Sequence, residues 1–315
     1  MKEIGGYFEF ERYKGSVFHK NAVALNSGRN CLAYLIEVYK IKTIWIPYYL
    51  CDCIESICKK YNVNYKFYNI KENFMPSEIY TEENEWIYVV NYYNLLTDDQ
   101  LLSLKTKYKN LIFDYTHAYF RNPVKNVPTI YTCRKFFGVS DGAFLYTDKL
   151  LSRQLNTAKS FYRITHVIGR FENNASEFFN DYHANEEELE NQPVAKMSSF
   201  TKNLLKSFDY ERIKNKRSAN FNILNKALKS INQLEMQNIE GAFAYPLYIK
   251  NAIALRKKLV GKKIYIPTLW PNVLSAADKS SVDFCYAKNI LPLPCDQRYG
   301  EGEMEYIINK IFEKN

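Results

Sequence analysis

Residues 131–143 read Tyr-Thr-Cys-Arg-Lys-Phe-Phe-Gly-Val-Ser-Asp-Gly-Ala and run from the end of one predicted strand, Thr129–Thr132, into the start of the next, Gly142–Thr147. Lys135 therefore lies among aromatic and apolar residues, where burial lowers the pKa of an amine and makes it a better nucleophile. A lysine that condenses with an aldehyde needs that environment. The alternative is a surface lysine whose charged end reaches water.

Outward from this stretch, short apolar runs alternate with amphipathic helices. The runs predicted as strands are Thr43–Ile46, Asn64–Tyr68, Trp86–Asn91 and Leu111–Asp114, and Asn21–Leu25 is extended or a helix end. Helices are predicted at Cys31–Tyr39, Cys51–Tyr61 and Thr97–Lys107. This alternation predicts an α/β fold with a mostly parallel central sheet flanked by helices.

The pattern changes after residue 148. Helices are predicted at Lys149–Ser160, Met197–Lys206, Tyr210–Ile231, Ala252–Val260 and Glu303–Glu313, and strands at Tyr245–Ile249 and Lys263–Pro267. The segment 161–193 is predicted to be irregular, with the acidic run Glu186–Glu190 on a solvated helix or loop. We expect an N-terminal segment near the active site (1–20), a large α/β domain (21–205) and a small α+β C-terminal domain (206–315).

Composition excludes several classes of protein. Of 315 residues, 47% are apolar and 16% aromatic, which argues against a disordered chain. No run of 18 apolar residues occurs, so no transmembrane helix is expected. Seven scattered cysteines without a Cys-x-x-Cys pair suit free thiols in a reducing cytoplasm. The four histidines form no His-Glu-x-x-His motif, so no metal site is expected.

The formal net charge of +9 has two interpretations. It would suit an anionic partner such as a nucleic acid, a membrane surface or a phosphorylated small molecule. It would equally suit a solvated, lysine-rich surface, and the absence of a dense basic run favours this second interpretation.

A second informative stretch, Asn26-Ser27-Gly28-Arg29-Asn30, comes just before the predicted helix at Cys31. Gly28 allows a ligand to approach the backbone closely, and the start of a helix offers free N–H groups and the positive end of its dipole. These properties favour a phosphate group. The alternative is an ordinary serine helix cap.

A third stretch joins a carboxylate to an imidazole. Asp114 directly follows the apolar run Leu111–Phe113, and His117 comes three residues later. Ligands of open α/β sheets bind at the carboxyl ends of the strands, where such a carboxylate can keep a ring nitrogen protonated. The alternative is that Asp114 caps a turn and His117 is a buried, hydrogen-bonded histidine.

Together these stretches resemble the nucleotide-sugar aminotransferases of the DegT/StrS type, which are pyridoxal-phosphate enzymes of the aspartate aminotransferase fold (fold type I). That family has a Ser-Gly-Thr helix start, an Asp-x-x-(His or Gln) stretch, and a lysine followed seven and eight residues later by Gly-Gly. The matching residues are Ser27-Gly28-Arg29, Asp114 with His117, and Lys135 with Gly142-Ala143. Further similarities, at Met197-Ser198 and Ile290–Pro294, extend the resemblance from about Asn21 to Phe312.

The resemblance implies a role for each matching residue. Lys135 would condense with the aldehyde of pyridoxal phosphate and later carry the proton that moves during amino transfer. Asp114 would pair with the protonated pyridine nitrogen, and His117 would lie near the ring and its phenolic oxygen. The residues implied to hold the phosphate are Ser27, Gly28, Arg29 and Thr132.

Besides Arg29 in place of the family's Thr and Ala143 in place of its second Gly, two further positions depart from the family pattern. The aromatic residue that stacks on the coenzyme ring falls near Cys51, and Tyr48 or Tyr49 is expected to substitute for it. Val194-Ala195-Lys196 stands where the family has Asn-x-Arg, which reaches the cofactor of the neighbouring subunit.

The resemblance implies transfer of an amino group from glutamate or glutamine to a nucleotide-linked keto-sugar, in surface polysaccharide or deoxy-amino-sugar biosynthesis. It also implies a cytoplasmic homodimer without nucleic-acid or membrane partners. One alternative is another pyridoxal-phosphate reaction on the same fold, such as sugar dehydration, although the known dehydratase variant has His in place of Lys. A degenerate, non-catalytic member and a nucleic-acid binder that exploits the positive charge remain further alternatives.

Overall fold

The computed structural model describes residues 4–313, in which seven short strands form one sheet. In chain order they are β1 (Val23–Leu25), β2 (Thr43–Pro47), β3 (Asn64–Tyr68), β4 (Trp86–Val90), β5 (Leu111–Asp114), β6 (Thr129–Thr132) and β7 (Ala143–Tyr146). Their spatial order is β1-β7-β6-β5-β4-β2-β3. Neighbouring strands are parallel except at β7, which runs antiparallel to both β6 and β1. Strands β5 and β6 are buried along their whole length, as is typical of a sheet covered on both faces.

Eleven α-helices accompany the strands in the described residues. They are α1 (Gly28–Tyr39), α2 (Cys53–Lys60), α3 (Asp98–Lys107), α4 (Thr165–Glu172), α5 (Phe179–Asn191), α6 (Ser199–Leu204), α7 (Tyr210–Leu228), α8 (Ala252–Gly261), α9 (Val273–Ala276), α10 (Val282–Asn289) and α11 (Glu301–Phe312). Two further strands, β8 (Tyr245–Tyr248) and β9 (Ile290–Leu293), pair with each other in antiparallel fashion. The predicted fold class, a mostly parallel sheet with a smaller α+β part after it, is confirmed.

Local sequence predicts the first half of the chain well. The predicted strands Asn64–Tyr68, Leu111–Asp114 and Thr129–Thr132 are found with the same ends, and the other elements found differ by one to three residues. Thr97 caps α3, since its hydroxyl accepts a hydrogen bond from the Gln100 N–H at 3.2 Å. The sequence therefore predicts strands and helices correctly where each element packs against elements that are close to it in the chain.

Three predictions after residue 148 are wrong. Lys149–Ser160 is not a helix but an irregular segment with bends at 152–153, and a β-bridge at Thr157 is formed by backbone hydrogen bonds between Asn156, Ala158 and Lys196. The segment 161–193 is not irregular, because it contains α4 and α5. Lys263–Pro267 is not a strand: Lys263 has a φ of +61° and turns the chain away at the end of α8. The partner of β8 is instead β9, which was not predicted as a strand.

A buried carboxylate on α10 attaches the C-terminal part of the chain to the central sheet. Asp283 accepts hydrogen bonds from the Tyr49 N–H at 3.0 Å and from the Ile70 N–H at 3.2 Å. Nearby, the Asn272 side chain donates to the Leu50 carbonyl at 2.9 Å. These contacts hold the loops that follow β2 and β3. Burial raises the pKa of Asp283 to about 6, although its backbone donors oppose the shift.

This raised pKa predicts a pH-dependent stability. The folded chain holds the Asp283 proton more tightly than the unfolded chain, so this residue's contribution falls as pH rises from about 4 to about 6. Asp283→Asn removes the titration but keeps an acceptor for Tyr49. Between pH 4 and pH 6 the free energy of unfolding of the parent should fall by about 3 kcal/mol because of this residue, and that of the variant should not show this fall. Urea unfolding at several pH values measures the difference, and parallel curves for the two proteins would refute it.

Candidate active site

The three stretches predicted to carry chemistry meet at one edge of the sheet. Asp114 and Thr132 are the last residues of the neighbouring parallel strands β5 and β6, so both lie at the carboxyl edge. A Cβ atom placed on Gly28 would lie 3.8 Å from the Thr116 methyl group and 3.9 Å from the Thr132 Cβ. The start of α1 therefore faces the ends of β5 and β6.

The N-terminus of α1 leaves backbone donors free. Ser27 caps the helix, with its hydroxyl accepting from the Asn30 N–H at 3.2 Å and its carbonyl from the Cys31 N–H at 3.1 Å. The N–H groups of Gly28 and Arg29 have no partner within the helix, because they belong to its first turn. The fold does not itself need glycine at position 28, since a Cβ there would make only ordinary van der Waals contacts. The side chain that Gly28 lacks leaves room for a ligand before the helix.

Asp114 is buried and held by two donors. The Tyr88 hydroxyl donates to Oδ2 at 2.8 Å, and the Thr116 N–H donates to Oδ1 at 2.7 Å. Its exposed fraction is 5%, yet within residues 4–313 no lysine, arginine or histidine forms an ion pair with it. The carboxylate therefore offers a fixed negative charge to a cationic ligand atom.

His117 is fully buried and neutral. Burial and the charge of Lys135 lower its pKa well below the ordinary value of 6.5. Its Nδ1 faces the Tyr93 N–H at 3.4 Å and must be the acceptor, so the ring proton is on Nε2. That Nε2 has no hydrogen-bond partner, while the ring stacks on Phe243 with centroids 4.1 Å apart. A buried N–H without an acceptor is expected to be satisfied by a ligand.

Lys135 lies close to these groups. Its Nζ is 3.4 Å from the Thr116 Oγ1 and 5.5 Å from the centroid of the Phe243 ring. Neighbouring protein atoms displace part of the water around the amine and lower its pKa, an effect that the charge of Asp114 opposes. The predicted burial of Lys135 is nevertheless wrong, because its side chain is solvent-exposed. The backbone turns at Cys133, so that Phe136 enters the core while the exposed Lys135 lies beside Thr116. The lowered pKa is that of a partly hydrated amine.

The residue just before β7 is a glycine that the fold requires. Gly142 has a φ of +112°, and a Cβ there would lie 3.0 Å from the Thr201 methyl group. Its N–H donates to the Asn26 carbonyl at 2.8 Å. The segment that carries Lys135 is thereby joined to the loop before α1.

The arginine side chain at the start of α1 faces α5. Arg29 pairs with Glu186 at 3.4 Å, and Arg134 pairs with the same carboxylate. Burial lowers the pKa of Arg134 to about 10. The acidic run was predicted to be solvated, and this is wrong for Glu186, which serves as the counter-ion of two arginines.

Neither tyrosine proposed as a stacking residue is free. Tyr48 stacks on Phe67 with centroids 4.5 Å apart, and Tyr49 is buried with its ring against Trp270.

Sequence reasoning missed four residues that shape the site. Thr116 and Tyr88 contact Lys135 and Asp114, and Phe243 and Trp270 lie parallel to the His117 ring. Thr116 stands between two predicted site residues, and Tyr88 is a hydroxyl in an otherwise apolar strand, so both had a local signal. Phe243 and Trp270 lie more than 100 residues further along the chain and had none.

Other features of the chain do not compete with this site. A cavity of about 380 Å³ between residues 156–158 and the end of α5 lacks a lysine, a histidine or a cysteine in its lining. In the described part of the chain, no three His, Cys, Asp or Glu side chains are grouped to hold a metal. None of the helices within residues 4–313 has the length and apolar character needed to cross a membrane.

Comparison with solved structures finds the same architecture over nearly the whole chain. The sugar aminotransferase CalS13 from Micromonospora echinospora matches with a TM-score of 0.63 and 10% identity, over 92% of this chain and 86% of that one. A DegT DnrJ EryC1 StrS aminotransferase from Brucella abortus matches with a TM-score of 0.60 and 12% identity, over 92% and 84%. NtdA from Bacillus subtilis, with bound cofactor PMP, matches with a TM-score of 0.64 and 13% identity, over 92% and 72%.

No protein-family model matches the sequence, and no curated protein matches it either. The structural similarity therefore establishes the fold, which is the one that the resemblance in sequence implies. The chain has the type I fold of the pyridoxal-phosphate-dependent sugar aminotransferases.

Proposed function

We propose that the chain is a pyridoxal-phosphate-dependent aminotransferase that transfers an amino group from glutamate or glutamine to a nucleotide-linked keto-sugar. The observation that carries the proposal is the convergence of an amine of lowered pKa, a buried unpaired carboxylate and a free helix N-terminus at one edge of this fold. Pyridoxal phosphate, when bound, supplies an aldehyde and a ring that withdraws electrons from the substrate.

The free groups of the site fit this coenzyme. The carboxylate of Asp114 suits the protonated ring nitrogen, and the unpartnered Nε2–H of His117 suits the phenolic oxygen. The phosphate suits the first N–H groups of α1, at Gly28 and Arg29. The hydroxyls of Ser27 and Thr132 complete the proposed phosphate ligands, although Ser27 also caps the helix.

Lys135 is proposed as the catalytic base and nucleophile. Its lowered pKa makes a larger fraction of the amine neutral near pH 7 than in an ordinary lysine. Thr116 contacts the Nζ and, through its N–H, the Asp114 carboxylate, so it is proposed to position the amine relative to the acid.

We further propose a homodimer. Exposed aromatic and aliphatic side chains are concentrated in and before α4 and α5, at Phe161, Ile168, Phe171, Phe179 and Tyr182. An apolar surface of this kind is typical of an interface. The predicted domain limits (1–20, 21–205 and 206–315), the cytoplasmic location and the role in polysaccharide or deoxy-amino-sugar synthesis remain predictions. Residues 1–3, 314 and 315 of those domains lie outside the described residues.

The half-reaction with an amino donor tests the proposal. Protein loaded with pyridoxal phosphate and mixed with glutamate or glutamine should release the corresponding 2-oxo acid and leave the coenzyme in its amine form. Neither step requires the sugar substrate. Coenzyme that binds but never reacts with a donor would instead indicate a degenerate, non-catalytic member of the fold.

Asp114→Asn should separate coenzyme binding from turnover. The amide oxygen can still accept from the Thr116 N–H, and the amide NH2 can donate to the Tyr88 hydroxyl, but the side chain lacks the negative charge that stabilises a protonated ring nitrogen. We expect the coenzyme to remain bound while the rate of the half-reaction falls about 100-fold or more, equivalent to about 3 kcal/mol of barrier. Asp98→Asn, at an exposed carboxylate, is the matched control. Full activity of Asp114→Asn would exclude the proposed role of the carboxylate.

A further inference from the structure

The chain begins with an arm that buries almost none of its apolar side chains. Residues 4–22 contain no helix or strand, and residues 4–9, here called the arm, are exposed throughout. Cβ atoms placed on Gly5 and Gly6 would meet no atom within 4 Å. Three apolar side chains of the arm are 96%, 98% and 101% exposed: Ile4, Tyr7 and Phe8.

The base of the arm is attached to α6. Phe10 packs edge-on against Phe200 of that helix, with ring centroids 5.1 Å apart. The Asn203 side chain accepts a hydrogen bond from the Tyr13 N–H at 3.0 Å and donates one to the Glu11 carbonyl at 2.6 Å. The arm therefore projects from a fixed point on the folded chain.

The chain leaves a second apolar surface exposed, on the pair of helices α4 and α5. These helices pack closely, because a Cβ on Gly169 of α4 would lie 2.3 Å from the ring of Phe178, the residue before α5. Their outward-facing apolar side chains therefore belong to one surface. This α4–α5 surface consists of Phe161, Ile168, Phe171, Phe179 and Tyr182.

The base of the arm and the α4–α5 surface both adjoin the loop that carries Lys135. A Cβ on Gly138 of this loop would lie 3.2 Å from the Val167 Cγ1 of α4. At the end of the loop, Asp141 accepts a hydrogen bond from the Thr201 hydroxyl of α6. The two apolar surfaces are therefore found on the same part of the molecule.

We propose that the arm of one copy of this chain binds the α4–α5 surface of a second copy, which returns the same contact. The inference rests on the proposed homodimer and names the segments that form it. A second copy accounts for both surfaces at once, because a two-fold axis repeats each contact. A different protein would have to cover the arm and the α4–α5 surface separately.

The two surfaces offer enough area for a stable dimer. Residues 4–9 span up to about 20 Å when extended, which is enough to cross two packed helices. A fully exposed aromatic side chain offers about 200 Å² for burial, so the arm and the α4–α5 surface present roughly 1,000 Å² of apolar area per copy. Each partner in an interface of standard size buries about 800 Å². Exposed apolar area on this scale is unusual for a monomer.

Photo-cross-linking of the coenzyme-free protein tests what the arm contacts. Protein with p-benzoylphenylalanine in place of Tyr7 is irradiated and run on a denaturing gel. We expect a species of twice the chain mass, and peptide mapping should place the link within residues 161–191. The same group in place of Tyr80, an exposed residue outside both surfaces, should give no such species. Links within one chain, links to another part of the second copy, or no links would overturn the proposal.

Serine variants measure what each surface contributes. In analytical ultracentrifugation, the pair Tyr7→Ser and Phe8→Ser should raise the Kd of the dimer at least 100-fold, and so should the pair Phe171→Ser and Phe179→Ser. An equimolar mixture of the two double variants should associate about 10-fold more tightly than either alone, because the mixed dimer keeps one unaltered contact. Tyr80→Ser is the matched control and should leave the Kd unchanged. Circular dichroism checks that each variant is folded.

The outcomes separate this inference from the proposed function. A dimer whose Kd the arm variant leaves unchanged would overturn the inference, while the proposed homodimer and amino transfer would stand. A parent chain that stays monomeric would overturn both the inference and the proposed homodimer. Because no measurement needs coenzyme, an enzyme without aminotransferase activity would leave the test of the arm intact.

Discussion

Lys135→Ala should abolish amino transfer, lowering the rate of the half-reaction with glutamate at least about 10,000-fold. The expectation follows from its place in the site: its Nζ is the amine beside Thr116, near the buried Asp114. Removing it takes away both the nucleophile that binds an aldehyde and the base that carries a proton. Borohydride should also fix the coenzyme to the parent chain but not to the variant.

The fold should survive this substitution, since Lys135 is exposed and its neighbour Phe136 supplies the buried contacts. Lys229→Ala, at an exposed lysine at the end of α7, is the control and should keep parental activity. Peptide mapping of the borohydride-treated parent locates the modified residue. A label on any lysine other than Lys135 would remove the basis of the proposed mechanism.

Arg217→Met should lower the free energy of unfolding by about 3–5 kcal/mol. The guanidinium of Arg217, on α7, is 1% exposed. It donates to the Ala242 carbonyl at 2.8 Å, the Phe136 carbonyl at 3.1 Å and the Gln297 Oε1 at 2.6 Å. Methionine fills a similar volume but removes these donors, and unpaired buried acceptors are costly. The Phe136 carbonyl keeps a bond from the Gln297 Nε2 at 2.7 Å, whereas the Ala242 carbonyl and the Gln297 Oε1 lose the bond that Arg217 donates.

The same variant should disturb the site, because Phe136 follows Lys135 directly. We expect weaker coenzyme binding as well as a lower midpoint in urea unfolding. Arg212→Met, at an exposed arginine on the same helix, should change the free energy of unfolding by less than about 0.5 kcal/mol. Equal unfolding curves for Arg217→Met and the parent would mean that these buried hydrogen bonds contribute no net stability.

The sequence predicts the site correctly where a polar residue stands at the end of a strand. Asp114 and Thr132 end two parallel strands, and parallel strands bring their carboxyl ends to one edge, so their proximity was predictable. The exposure of Lys135 was not, because neighbouring aromatic residues indicate burial of a segment and not of each of its side chains. The rings of Phe243 and Trp270 reach His117 only through tertiary packing.

Errors in the second half of the sequence have a similar cause. Residues 149–160 have helix-compatible composition, but they form an irregular segment that pairs with Lys196 at residues 156–158. The acidic run contains too many charges to indicate a buried contact, yet Glu186 meets two arginines from distant segments. Local propensity is overridden in both places by partners that the sequence does not bring near.

The reversed direction of β7 governs how firmly Lys135 is held. Thr132 and Ala143 are opposite each other in the β6–β7 ladder, and the Cys133 N–H donates to the Gly142 carbonyl at 3.0 Å. These pairs hold together the two ends of the loop 133–142, which carries Lys135. Breaking these hydrogen bonds requires separating β6 from β7, which are both interior strands of the sheet. Amide hydrogens of these pairs should therefore be among the slowest in the molecule to exchange with deuterium. The lysine would keep its position during the smaller fluctuations that expose the periphery.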